Sequence, residues 1–156
     1  LTRRESPTAL ILSRQNLPLY EETGKEALKG GYILLDSEKE VPDIILMASG
    51  SEVELIYKAH GILKEEGIDA RVVSMPSFAI FEEQSAEYKE SVLPDGVRAR
   101  LAVEAGSSFG WHKYVGLDGD IIALDRFGAS APGEILFEKF GFTVDNVVKR
   151  AKALVG

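Results

Sequence analysis

Short, almost wholly apolar runs alternate along this chain with longer segments whose apolar residues recur every three or four positions. The runs are GYILL (31–35), DIILMA (43–48), IDARVVSM (68–75), RARLAVEA (98–105) and DIIALD (120–125). All five read as strands, and DIILMA, nearly all apolar, has the pattern of a strand buried on both faces of a sheet. Between the second and third runs, Val53, Ile56, His60 and Leu63 form one helical stripe, which Leu55, Ala59 and Ile62 widen. Ser51 and Glu54 have capping-box spacing, and Gly67 supplies a stop, so the pattern predicts a helix from Ser51. FEEQSAEYKESVLP (81–94) predicts one polar helix ending at Pro94, and SSFGWHKYVG (107–116) a short helix or irregular turn. APGEILFEKFG (131–141) and TVDNVVKRAKALVG (143–156) predict two closing helices. The second starts on Thr143, with Val144, Val147, Val148, Ala151 and Leu154 on one face.

Strand, helix and strand in repetition imply right-handed crossovers between parallel strands. GYILL reaches DIILMA through seven residues (36–42), too few for a helical crossover, so it should form an antiparallel edge. The expected fold class is α/β: a five-stranded, mostly parallel open sheet, with four parallel strands, one antiparallel edge strand and helices on both faces.

The first thirty residues read differently. TALILS (8–13) has the look of a buried strand, and RQNLPLYEETGKEALKGG (14–31) holds proline and glycines without a period, as a linker does. The expected division is 1–30 as the end of a preceding domain with its linker, and 31–156 as an α/β domain. Charge supports the division: residues 1–30 carry five Lys/Arg and four Asp/Glu, and the remainder thirteen and twenty-one. Leu1 stands where Met is expected, and LTRRESP reads as the exposed end of something longer, so a fragment of a larger protein is expected.

At 156 residues the chain can bury a core without staples. There is no cysteine, which excludes disulfides and thiolate metal sites and fits a reducing, cytoplasmic setting. His60 and His112 lie far apart, and no spacing suggests a metal site. A net charge of −7 repels a phosphate backbone, so no nucleic-acid partner is expected. No apolar run approaches membrane-spanning length, and the start has no signal-peptide pattern, so no membrane partner is expected either.

Candidate chemistry is sparse. ASGSEV places Ser49, Gly50 and Ser51 at a strand's carboxyl end and a helix's amino end, where an anion or regulator can bind. It is neither GxGxxG nor a Walker A loop, and a plain helix start is the bland alternative. No nucleophile elbow frames Ser49 or Ser51. GLDGDII (116–122) reads as a tight turn into a strand. Trp111, His112 and Tyr114 follow Glu104; His112 could serve as acid or base beside it, or the cluster could be packing or an interface. His60 fits a core-edge position. Asp125 and Arg126 could form a local ion pair or part of a contact surface. Arg14, at the end of TALILS beside Gln15 and Asn16, carries a fork that suits phosphate or carboxylate; a surface arginine is the plain alternative.

LSRQNLP, ASGSEV, SMPSF, FGWHKYVG and DRFGASAP, in this order, resemble the end of transketolase across essentially all 156 residues. The resemblance implies the third, mixed-sheet domain of a three-domain enzyme, preceded by the last strand of the middle domain and a linker. It implies a parent that moves a two-carbon ketol unit between ketose and aldose phosphates of the pentose phosphate pathway, using thiamine diphosphate and Mg2+ or Ca2+. It further implies a homodimer, packing against the parent's other domains, and a role for Arg14 in binding the substrate's phosphate. The family's diphosphate and metal motif, its activating glutamate and its substrate-binding histidines are missing here. The piece itself is therefore expected to hold no cofactor, to be inactive alone and to offer no catalytic residue. Three other readings stand beside this one. They are a regulatory module binding a small anion at ASGSEV, the C-terminal domain of a 2-oxo acid dehydrogenase β-subunit, and a structural domain using Trp111, Tyr114 and FGASAP as a dimer surface.

Overall fold

A computed structural model describes residues 4–13 and 15–156. Five strands form one sheet: β1 (Tyr32–Leu35), β2 (Ile44–Ala48), β3 (Ala70–Ser74), β4 (Arg100–Glu104) and β5 (Asp120–Ala123). Their order is β1-β3-β2-β4-β5. β1 runs antiparallel to β3, and the other pairings are parallel. The short link after β1 thus does what its length dictates: it makes no parallel crossover, and β1 is an antiparallel edge strand paired with β3. The continuous apolar runs become the central strands, and every position of β2 and β3 is buried.

Alternation along β2 feeds two separate cores. Ile44, Leu46 and Ala48 face one side, against α1 (Val53–Glu65) and α6 (Val144–Val155). Ile45 and Met47 face the other, with Phe81, Val92, Trp111 and Tyr114 from α2 (Phe78–Glu82), α3 (Ala86–Val92) and the α4 region (His112–Val115). Each fully buried Leu or Ile contributes about 1.5–3 kcal/mol, and the sheet is stabilised from both sides. The short α5 (Gly133–Phe140) packs Phe137 and Phe140 on the first core.

The stripe of α1 is as the sequence reads: Val53, Ile56, Ala59 and Leu63 are buried, and His60 is half-buried beside them. Its C-terminus is a Schellman turn, with Gly67 at φ +82°, its N–H on the Lys64 carbonyl, and the Ile68 N–H on Leu63. The start differs from expectation. A 3-10 turn over Gly50–Glu52 precedes α1, whose first residue is Val53, and no side chain caps it. The Ser51 hydroxyl donates instead to the neighbouring Glu52 carboxylate at 2.5 Å, so no capping box forms.

Residues 81–94 also differ: they contain the end of α2 and all of α3, not one helix. Ser85 breaks the run because its hydroxyl accepts the Tyr88 N–H and caps α3, while Ser77 caps α2 through the Ile80 N–H. Thr143 caps α6 as expected, through the Asn146 N–H.

TALILS forms no strand. Leu10, Ile11 and Leu12 lie exposed, Ile11 at 95%, and a strand needs a neighbour for its backbone groups. The segment expected as a linker divides in two. Residues 15–19 are exposed, whereas Gly30 and Gly31 are buried and Tyr20 and Ala27 pack on the first core.

Candidate functional site

Strand order fixes where an open α/β sheet offers a crevice. The connection from β2 goes to β3 on one side, and the chain then crosses to β4 on the other, so the carboxyl ends of β2 and β4 form the switch point. The parallel register pairs Ala48 with Val103. The next residues, Ser49 and Glu104, therefore meet across the crevice, and the Ser49 hydroxyl donates to Glu104 Oε2 at 3.0 Å. The Trp111 indole N–H donates to the same oxygen at 3.2 Å. One carboxylate oxygen thus gathers β2, β4 and the turn before α4.

A second carboxylate sits alongside. Glu52 is 4% exposed, and burial pushes its carboxyl above the ordinary range. The Ser51 hydroxyl and the Ala105 N–H oppose that push, and the nearby Glu104 adds to it. Gly50 takes φ +54°, which glycine tolerates and which lets the 3-10 turn begin. Ser49 and Ser51 of the candidate anion turn therefore both donate to carboxylates. An incoming anion would meet two acidic side chains, and this geometry lends the anion reading no support.

Arg14, the candidate phosphate ligand, lies outside the described residues. Glu104 is engaged by Ser49 and Trp111, and the hydrogen-bond contact of His112 is elsewhere. The His112 Nε2 is 3.3 Å from the Ser108 hydroxyl, at an open cleft of about 220 Å³ that Asp120 and Asp125 also line. Asp125 accepts the Ser108 N–H at 2.9 Å and the Ser107 hydroxyl at 3.2 Å, which hold its carboxyl below the usual range. Arg126 lies over the Phe140 ring, a contact separate from those of Asp125. His60 lies on α1, away from the crevice, and burial pulls its imidazole down.

Trp111 is 1% exposed and Tyr114 is buried, both packed around Phe78. They are core, which favours the packing reading of this cluster over the dimer-surface alternative. The exposed aromatics of this end are Phe109 and Phe127, the latter at 97%, on the loops after β4 and β5. A wider open cleft of about 530 Å³ lies over α2 and α3. At its wall Lys113, Lys89 and the Tyr114 hydroxyl all converge on Glu82.

Among the described residues, no group of three or more His, Asp or Glu gathers as a metal site. Asp118 pairs with Arg98, and Asp120 with Arg150. Among the described residues, the side chains do not fit a diphosphate with its metal.

Glu104 was named from sequence only as a neighbour for His112, and Glu52 not at all. The signal was there: Glu104 is the lone acid closing an apolar strand, and an acid in that position needs donors.

Fold and edge together define a doubly wound α/β domain with one antiparallel edge strand and a carboxylate-tied crevice at its switch point. Residues 30–143 match the family described as Transketolase-like TK C-terminal domain, and the chain belongs to that family. It is 56% identical over 155 residues to a transketolase of Bacillus subtilis, covering 97% of this chain and 23% of that protein. It is 58% identical over 159 residues to a transketolase of Halalkalibacterium halodurans, covering 99% and 24%. Transketolase from Leishmania mexicana superposes with a TM-score of 0.83 at 38% identity, covering 91% of this chain and 20% of that one. A Pichia stipitis transketolase in complex with sedoheptulose-7-phosphate gives 0.82 at 46%, again covering 91% and 20%. The chain thus spans about a quarter of the length of the curated relatives it matches. These likenesses do not favour the 2-oxo acid dehydrogenase reading.

Proposed function

We propose that this domain serves a parent enzyme that transfers a two-carbon ketol unit reversibly between ketose and aldose phosphates in the pentose phosphate pathway. The observation that carries this reading is the likeness to transketolases over nearly the whole chain. In it, thiamine diphosphate and its Mg2+ or Ca2+ are held by the parent's other domains, and those groups supply the carbanion chemistry. This domain contributes structure, and Arg14 contributes a guanidinium for the substrate's phosphate. The loops bearing Phe109 and Phe127 supply apolar surface toward the remaining domains or the second subunit of a homodimer. The setting is the cytoplasm; among the described residues no helix is long and apolar enough to cross a membrane.

The test is made in the intact parent. Arg14→Leu should raise KM for phosphorylated substrates about 10–100-fold, the effect of one charge-assisted hydrogen bond. An unphosphorylated acceptor should be nearly unaffected. Equal loss on both substrates would remove Arg14 from the phosphate site. An intact parent without ketol transfer would overturn the reading as a whole.

A further inference from the structure

We propose that residues 20–31 are a strap locked around the β1 edge of the sheet, with Tyr20 on Tyr57 as its clasp. Everything before residue 20 then leaves the domain from a fixed point while the clasp is closed. The domain accordingly begins at Tyr20, ten residues before the family match and eleven before the boundary expected from composition.

The strap touches both faces of the sheet. At its start, Tyr20 packs on the first core, its ring 4.7 Å from that of Tyr57 on α1. The Tyr57 hydroxyl donates to Glu22 at 3.2 Å, and the Thr23 and Tyr32 hydroxyls lie 3.2 Å apart. Ala27 adds to the same core. At its end, the strap crosses to the second core. Lys29 lies 4.2 Å over the Tyr88 ring, the Tyr88 hydroxyl donates to the Gly31 carbonyl, and the Ser77 N–H donates to Gly30. A Cβ on Gly30 would stand 2.5 Å from Phe81 N, and one on Gly31 2.6 Å from Met75 Sδ. The two glycines are threaded through a gap, where composition alone reads them as slack.

The two ends differ in how firmly they hold. The glycine end is buried and closed by backbone contacts. The Tyr20 end is held by side-chain contacts alone, the Tyr20–Tyr57 ring pair, the exposed Tyr57–Glu22 bond and the Thr23–Tyr32 hydroxyl pair, and the Tyr20 hydroxyl is buried with no hydrogen-bond partner. Burial, with Glu54 nearby, holds that hydroxyl un-ionised, its pKa pushed up to about 12. A strap with one firm and one weak end opens from the weak end, turning a fixed exit into a tether of some ten residues.

Hydrogen exchange on the full 156-residue chain tests this. The Thr23 N–H bonds Tyr20, Ala27 bonds Gly24, and Gly30 bonds Ala27, so all three should be protected. Tyr57→Ala should speed exchange at Thr23 about tenfold, the scale of one aromatic contact in a local opening, and leave Gly30 slow. Tyr57→Phe keeps the ring and should stay close to the parent chain. Tyr20→Ala, which leaves α1 untouched, should reproduce the Tyr57→Ala result and covers the case where α1 is damaged. Thr23 exchanging at the unstructured rate in the unaltered chain would overturn the proposal. So would a Thr23 rate unmoved in both alanine variants.

Discussion

Arg71 and Asp36 are joined by a 2.7 Å bond from the arginine Nε to a carboxylate oxygen, tying the middle of β3 to the link that follows β1. Arg71 is 6% exposed, and its Nη1 donates to both the Ser91 and Val92 carbonyls at the end of α3. A buried guanidinium is tolerated only when its donors are used. Asp36→Ala should therefore destabilise by about 1–2 kcal/mol, reduced from the fully buried case because Asp36 itself faces water. Arg71→Met, which removes the charge and keeps the stem, should cost less. Urea unfolding midpoints decide it; a larger loss for Arg71→Met would show that the carbonyl contacts dominate.

Glu52 makes stability depend on pH in an uncommon direction. Burial, helped by Glu104, raises its folded-state pKa above the ordinary 4.5, so the folded protein holds that proton more tightly than the unfolded chain. Stability from this group is then full below the ordinary value and declines as pH rises from there through the folded value. Glu52→Gln should flatten that decline and stabilise the domain at pH 7 relative to pH 4. Thermal melts across this range test it; an unchanged slope in the variant would mean that Glu52 is not the source.

Ser49, Glu104 and Trp111 share one carboxylate oxygen, so their contributions should not add. Ser49→Ala should cost about 1 kcal/mol and Trp111→Phe a similar amount for the lost indole bond. Their double variant should depart from the sum, because each donor compensates for loss of the other. Trp111→Ala, which also empties part of the second core, should cost about 3–5 kcal/mol. Strict additivity in chemical denaturation would show the two bonds to be independent.

Asp120 at the head of β5 clamps α6 through Arg150. Burial pushes the Asp120 carboxyl up, but Arg150 and the Ile121 N–H outweigh it and the net direction is down. The associated stability is present above the ordinary carboxyl value of 3.8 and is lost as pH falls through the lower folded value. Arg150→Met should cost about 1 kcal/mol at pH 7, both groups being partly exposed, and less as pH falls through the folded carboxyl value. A difference undiminished in acid would assign the effect to packing and to the Arg150 bond with the Ile121 carbonyl instead of the ion pair.

The parts readable from sequence were those written in one dimension. Ile44–Ala48 is a run that only a doubly covered strand accommodates. The seven residues after Leu35 forbid a crossover, which fixed β1 as antiparallel. Other features depend on who sits opposite whom. Ser49 and Glu104 are 55 residues apart in sequence and become neighbours only through the register of β2 with β4. Ser51 abandons its cap because Glu52 is buried and needs a donor, and that burial is a property of the packed edge. Trp111 reads as surface or core equally well until Phe78 is placed against it. TALILS has the composition of a strand, but composition supplies no partner edge.

The direction of β1 has a geographical consequence. Tyr32 stands beside Ser74, so the edge strand starts where the parallel strands finish. The incoming chain therefore arrives on the same rim as the Ser49–Glu104 crevice and the loops of Phe109 and Phe127. Reverse that single four-residue strand and the doorway would open at the opposite pole, leaving the crevice facing away from whatever comes before. The smallest, outermost strand thus decides which end of the domain is its front.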